Sequence, residues 1–133
     1  MSQLAEPLRR GLPFAFGGYV AIALVLHLTM PAAWTWHIAY AALIGMLFTY
    51  PAHALVEGRF ERLEITTSLA FAIAGLFGLL FAPLLLVAAI AAHGALDLAK
   101  YRGLGVRVPV WYLAGCAVFD FGYAAFLLSR LYG

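Results

Sequence analysis

Of 133 residues, 65% are hydrophobic and only 11% are charged, whereas a soluble domain is about half apolar and a quarter charged. With a mean hydropathy of +0.96, the composition predicts an all-α integral membrane protein. The length has room for four or five helices of about 20 residues in a single domain, and for no separate soluble one. The formal charge is only +2 and the basic residues are scattered through short polar segments, which excludes nucleic acid as a partner.

Arg9-Arg10, an apolar stretch and Pro31-Ala-Ala33 together imitate a secretory signal with a small-residue cleavage site. The apolar run from Leu12 to Met30 exceeds the usual signal core of about 7–15 residues, so it is read as a retained first helix, residues 12–30. The second apolar block, residues 34–56, is read as one further helix. The third runs from Ile65 to Leu98, and as one straight helix it would measure about 51 Å against a hydrocarbon core of roughly 30 Å. Pro83 stands at its centre, where a proline removes an internal hydrogen bond and clashes with the preceding turn. The block therefore divides into two short helices, 66–81 and 84–98, forming a hairpin, with a last helix over 109–130.

Basic residues near span ends collect on the cytoplasmic side. Five spans put Arg9, Arg10, Arg59, Arg62, Lys100, Arg102 and Arg107 on one side and leave Arg130 opposite, whereas four spans weaken the bias. The predicted topology is five spans in the inner (cytoplasmic) membrane, amino terminus in and carboxyl terminus out. Trp34, Trp36, Trp111, Tyr112 and Tyr132 fall near span ends, as in an interfacial aromatic belt. The run Glu57, Arg59, Glu61, Arg62 and Glu64 reads as a solvated loop, and Gly103-Leu-Gly105 lacks the context of a phosphate loop. The single Cys116 cannot form an internal disulfide.

Polar residues inside the spans carry the functional expectation. His93 and Asp97 are four apart, on one helical face, as are His53 and Glu57. Asp120 follows Pro109 by eleven residues and lies near mid-span. An ionised carboxylate there costs about 2.5–3.5 kcal/mol against lipid, so it is expected to face the protein interior. Tyr112, Cys116 and Tyr123 share its face. His27 and His37 are expected at the opposite boundary, bonded to headgroups or water.

His93-Gly94-x-x-Asp97, a basic stretch, and then Val108-Pro109-x-Trp111-Tyr112-x-x-x-Cys116-x-x-x-Asp120 resemble a group of small bacterial integral membrane proteins, which also share a Gly-Arg loop before the third span. The resemblance covers about the last two-thirds of the chain. It implies the same architecture and marks the same residues, and it implies no reaction. That group carries histidines after the Asp, where this chain has Lys100 and Tyr101.

The residues leave several functions open. One is acid–base chemistry on a lipophilic substrate, with His93, Asp97 and Asp120 catalytic and Tyr112, Cys116, Tyr123, His53 and Glu57 binding. Others are a proton- or ion-coupled transporter acting as an oligomer, and an accessory subunit of a larger membrane complex. No cofactor is expected in the first reading. A metal held by His53, Glu57, His93 and Asp97 is the alternative. Membrane lipids and further copies of the chain are the expected partners.

Overall fold

The computed structural model describes residues 5–133. It is all-helical, with no strand among the described residues: α1 (Ala5–Thr29), α2 (Thr35–Met46), α3 (Thr49–Glu57), α4 (Glu61–Phe81), α5 (Pro83–Tyr101) and α6 (Val110–Tyr132), with a 3₁₀ turn at Ala32–Trp34. Five helical segments are long and apolar enough to cross a membrane, α2 and α3 together forming one of them.

The division between α2 and α3 departs from the single helix predicted over residues 34–56, and Pro51 explains it. Without an N–H, Pro51 cannot donate to the carbonyl of Leu47 one turn earlier. Ser68 of α4 supplies the missing donor, its hydroxyl reaching the Leu47 carbonyl oxygen at 3.1 Å. In an apolar interior an unpaired carbonyl is costly, so the break is tolerated because the neighbouring helix satisfies it.

The long apolar block separates at Ala82, the one extended residue between α4 and α5 (φ −154°, ψ 91°). Pro83 opens α5 at a position where its missing N–H costs nothing. A Cβ on Gly78 would collide with the backbone of Leu86, so glycine allows the two helices to lie nearly in contact. Both helices are longer than predicted. Glu61 and Glu64 occupy the first turn of α4 and Lys100 the last turn of α5, the ends at which those charges complement the helix dipole.

The first helix also starts earlier than Leu12, extended by an Arg10–Glu6 ion pair at 2.9 Å, one turn apart.

Helix α5 lies against both α4 and α6. The core is built by Leu43 of α2, Leu86 and Ile90 of α5, and Leu127 of α6, all fully buried. A smaller cluster around Leu12, Tyr50, Ala54, Val106 and Leu113 closes the end where the α5–α6 loop returns. Helix α1 is peripheral, with 11% of its most apolar window buried against 44% for α5. It is fastened at separate points. Tyr19 donates to the Ala42 carbonyl at 3.0 Å, and Phe16 meets the edge of Tyr112.

Candidate active site

Three ionisable side chains converge where α5 crosses α6. His93 and Asp97 project from one face of α5, and Asp120 faces them from the middle of α6, all three almost completely buried. Gly94 makes this approach possible, because a Cβ there would stand 3.1 Å from the Asp120 Cβ and 3.3 Å from the Phe121 ring. His93 Nδ1 lies 2.8 Å from Asp120 Oδ2 and 3.8 Å from Asp97 Oδ2. With its proton on Nδ1 the imidazole donates to Asp120. Its ring is stacked on Tyr50 and meets the edge of Phe71.

Asp97 is held from the other side by Tyr50 of α3, whose hydroxyl donates to Asp97 Oδ1. Asp97 Oδ2 and His93 Nε2 are buried and, among the described residues, have no hydrogen-bond partner. Buried polar atoms are nearly always paired, so two such atoms in one cluster mark a place poised to take a proton, a water or a ligand. Beside the cluster is a cavity of about 60 Å³, lined by His93 and Asp120 together with Tyr19, Thr49, Tyr112 and Cys116. Thr49 and Tyr112 are joined hydroxyl to hydroxyl at 2.7 Å. The space suits water or the end of a larger molecule, well below the roughly 300 Å³ of a complete small-molecule pocket.

The polar chain continues toward the α5–α6 loop. Lys100 lies 4.3 Å above the centre of the Tyr50 ring, the separation of a cation–π contact, and pairs with Glu64 of α4. Glu64 also accepts the backbone N–H of Val106 at 2.9 Å. Gly105, at φ +72°, is glycine for two reasons: the left-handed backbone, and a Cβ that would fall on the Glu64 carboxylate. Glu64 and Lys100 are buried, so the solvated loop predicted from Glu57 to Glu64 is corrected at Glu64. Neither residue has a free charge to leave in lipid, because each neutralises the other.

Other sequence-predicted residues separate. Tyr112 and Cys116 line the cavity; Tyr112 is buried there and does not belong to an exposed aromatic belt. Tyr123 sits on the far side of Phe119, with its hydroxyl 2.6 Å from His27 Nε2, so His27 is bonded within the protein and not left to headgroups. His53 is buried and bonded through Nδ1 to the Thr49 carbonyl at 2.8 Å. Glu57 is exposed at the end of α3. The metal set His53, Glu57, His93 and Asp97 is therefore not the one that assembles. Among the described residues, the donor atoms that could together hold a divalent cation are those of His93, Asp97 and Asp120, all within 4.8 Å of one another. The spacing of four links Glu57 to His53 along a helix surface, but a helix end in solvent carries it away from the interior.

Sequence reasoning missed Tyr50, Tyr19 and Thr49. The signal for two of them was the Thr49-Tyr50 pair inside an apolar span just before Pro51, and for Tyr19 a hydroxyl within the first apolar run, where hydroxyls facing lipid would lack partners. No protein family, no curated protein and no solved structure matches the chain.

Proposed function

We propose that this is a multi-pass protein of the cytoplasmic membrane, amino terminus in and carboxyl terminus out, that performs acid–base chemistry on a lipid-soluble substrate at His93, Asp97 and Asp120. The observation that carries this reading is the 2.8 Å contact between His93 Nδ1 and Asp120 Oδ2, with a second carboxyl, that of Asp97, 3.8 Å from the same nitrogen.

The charge balance supports it. Two carboxylates and one imidazolium would leave a net negative charge in a medium where an uncompensated charge is strongly disfavoured. A further proton on one carboxyl restores neutrality, so a proton donor and a proton acceptor stand side by side. In this reading the Nδ1 proton of His93 shifts to the Asp120 carboxylate 2.8 Å away, at unchanged net charge, so that Asp120, bordering the cavity, is the acid and the neutral imidazole of His93 is the base through its unprotonated nitrogen. Asp97, fixed by Tyr50, positions the imidazole and stabilises its cation. A proton passed to one substrate atom and another withdrawn from a neighbouring atom return the site to its starting state, which describes an isomerisation with no co-reactant. Apolar walls strengthen each of these interactions relative to water.

Deuterium transfer tests the reading. Membranes containing the wild-type protein, incubated in D2O, should incorporate non-exchangeable deuterium into a lipid species, detected by mass spectrometry. Membranes with Asp120→Asn should not, because an amide cannot deliver the proton. Identical lipid labelling in the two preparations counts against it.

The hydrogen-bonded groups Tyr50–Asp97 and His93–Asp120, with the Lys100–Glu64 pair packed on the Tyr50 ring, favour one second reading, a proton pathway from the α5–α6 loop to mid-span in which water bridges Lys100 and Tyr50. Proton flux into vesicles that is abolished by Asp97→Asn, without lipid deuteration, would select it.

A further inference from the structure

A second and larger recess lies between α1 and α6, an apolar groove of about 340 Å³ that opens outward from the helices. It runs along α6 from Val118 to Arg130, a distance of about 18 Å at the helical rise. Ala23, Leu24 and Leu28 form its α1 wall. Its polar groups are the exposed Arg130 at one end and, between Arg130 and Phe119, the His27–Tyr123 hydrogen bond. Arg130 rests over the Phe126 ring at 5.1 Å and, among the described residues, makes no ion pair. At the other end is Phe119. Its ring lines both the groove and the small cavity of His93 and Asp120.

We infer that this groove binds a single-chain amphiphile with an anionic head, the head at Arg130 and the chain directed to Phe119, as the substrate of the buried His93–Asp120 site. The inference rests on the acid–base reading and names its substrate class. Charge complementarity selects the head: one unpaired guanidinium at the mouth of a slot whose other polar groups, His27 and Tyr123, bond each other suits a carboxylate or a phosphate. Geometry selects the chain, since a slot of this volume that is open along its side accepts one flexible hydrocarbon. The cavity at the site is too small for a whole lipid and the groove has no acid or base near its inner end, so each lacks what the other has. The chain carbons about 16 Å from the head are those set beside Phe119, and a turn of its ring joins the two spaces. Phe119 packs face to face with Tyr123 and edge to face with Tyr19, both at 5.4 Å between centroids, which holds the partition closed.

Photo-crosslinking tests this without reference to activity. The full chain, in phosphatidylcholine nanodiscs, is irradiated with palmitic acid carrying a mid-chain diazirine, and in parallel with the matching fatty alcohol. The expected acid label lies on the α1 and α6 segments bordering the groove and is competed away by unlabelled palmitic acid or farnesyl monophosphate, the stronger competitor identifying the head. Gly122→Phe should reduce it at least about fivefold, because a side chain at Gly122 enters open space in the groove and meets no neighbour. Arg130→Gln should reduce the acid's label by about fivefold and leave the alcohol's unchanged, as expected for one ion pair at an apolar boundary. The lipid-facing residues of α4, such as Leu69 and Ile73, provide the comparison for nonspecific contact. Label that cannot be competed away, or that is as dense on α4 as in the groove, overturns the inference, and competition on the unmodified protein settles this even where a variant does not fold. Specific groove labelling in a protein that never deuterates lipid leaves the groove standing and removes only the chemistry.

Discussion

His93 and Asp120 are 27 positions apart and meet at 2.8 Å, and the residue that brings them together is the side-chain-free Gly94 between the two helices. Gly94→Ala should therefore push α6 away from α5 and cost about 1–3 kcal/mol, the usual penalty for overpacking a filled interior. Unfolding in detergent–denaturant mixtures measures it. Asp120→Asn keeps a hydrogen-bonding group beside His93 and should cost less than about 1.5 kcal/mol, whereas Asp120→Leu leaves the imidazole unpaired and should cost about 1–3 kcal/mol. Equal stability of the Asn and Leu variants would show that the pairing contributes nothing to the fold.

The buried Glu64–Lys100 pair joins α4, α5 and the loop after α5. Glu64→Leu or Lys100→Met alone should destabilise by about 3–5 kcal/mol, because each leaves an uncompensated charge in the interior. The double variant should be more stable than either single one. Thermal unfolding of the four proteins tests this, and additive losses would contradict it.

A double-mutant cycle between helices isolates the repair of the Pro51 break. Ser68→Ala should cost about 1 kcal/mol in the wild-type background, where the Leu47 carbonyl depends on that hydroxyl. In a Pro51→Ala background the restored N–H can reach the same carbonyl, and the cost should shrink toward zero. An unchanged cost would remove the link between the two residues.

Composition and apolar run lengths made the five candidate spans legible, and Pro83 marked the place where the longest run divides. Pro51 carries the same chemistry, but it sits in a run of ordinary span length, so nothing in the pattern required a break there. His93, Asp97 and Asp120 were visible as ionisable residues at depths where lipid would not tolerate them. Which of them meet was not visible, because helix periodicity fixes the face along one helix and says nothing about the neighbour that covers it. Glu57 and Glu64 show the limit most clearly. Both stand in one charged run, yet one ends in solvent, and the other, at a helix start beneath the Gly105 turn, is buried against Lys100.

The proposed sidedness predicts that the α3–α4 and α5–α6 loops lie on one face of the membrane. Cysteines are best placed at Arg59 and Arg102, which are exposed, and not at the adjacent Gly58 and Gly103, whose positive φ angles of +64° and +105° penalise any side chain. In a Cys116→Ser background both positions should react with a membrane-impermeant maleimide from the cytoplasmic side only. Labelling from opposite sides would reverse the assignment of the α4–α5 hairpin.

Infrared difference spectroscopy of the purified protein in H2O and D2O reads the proton shared by His93, Asp97 and Asp120 most directly. The wild-type spectrum should contain a protonated-carboxyl stretch that shifts in D2O and is lost or displaced in both Asp97→Asn and Asp120→Asn, since the two carboxyls approach one imidazole nitrogen. A spectrum with no such band, or one unchanged in both variants, would contradict a proton-holding site at the α5–α6 crossing.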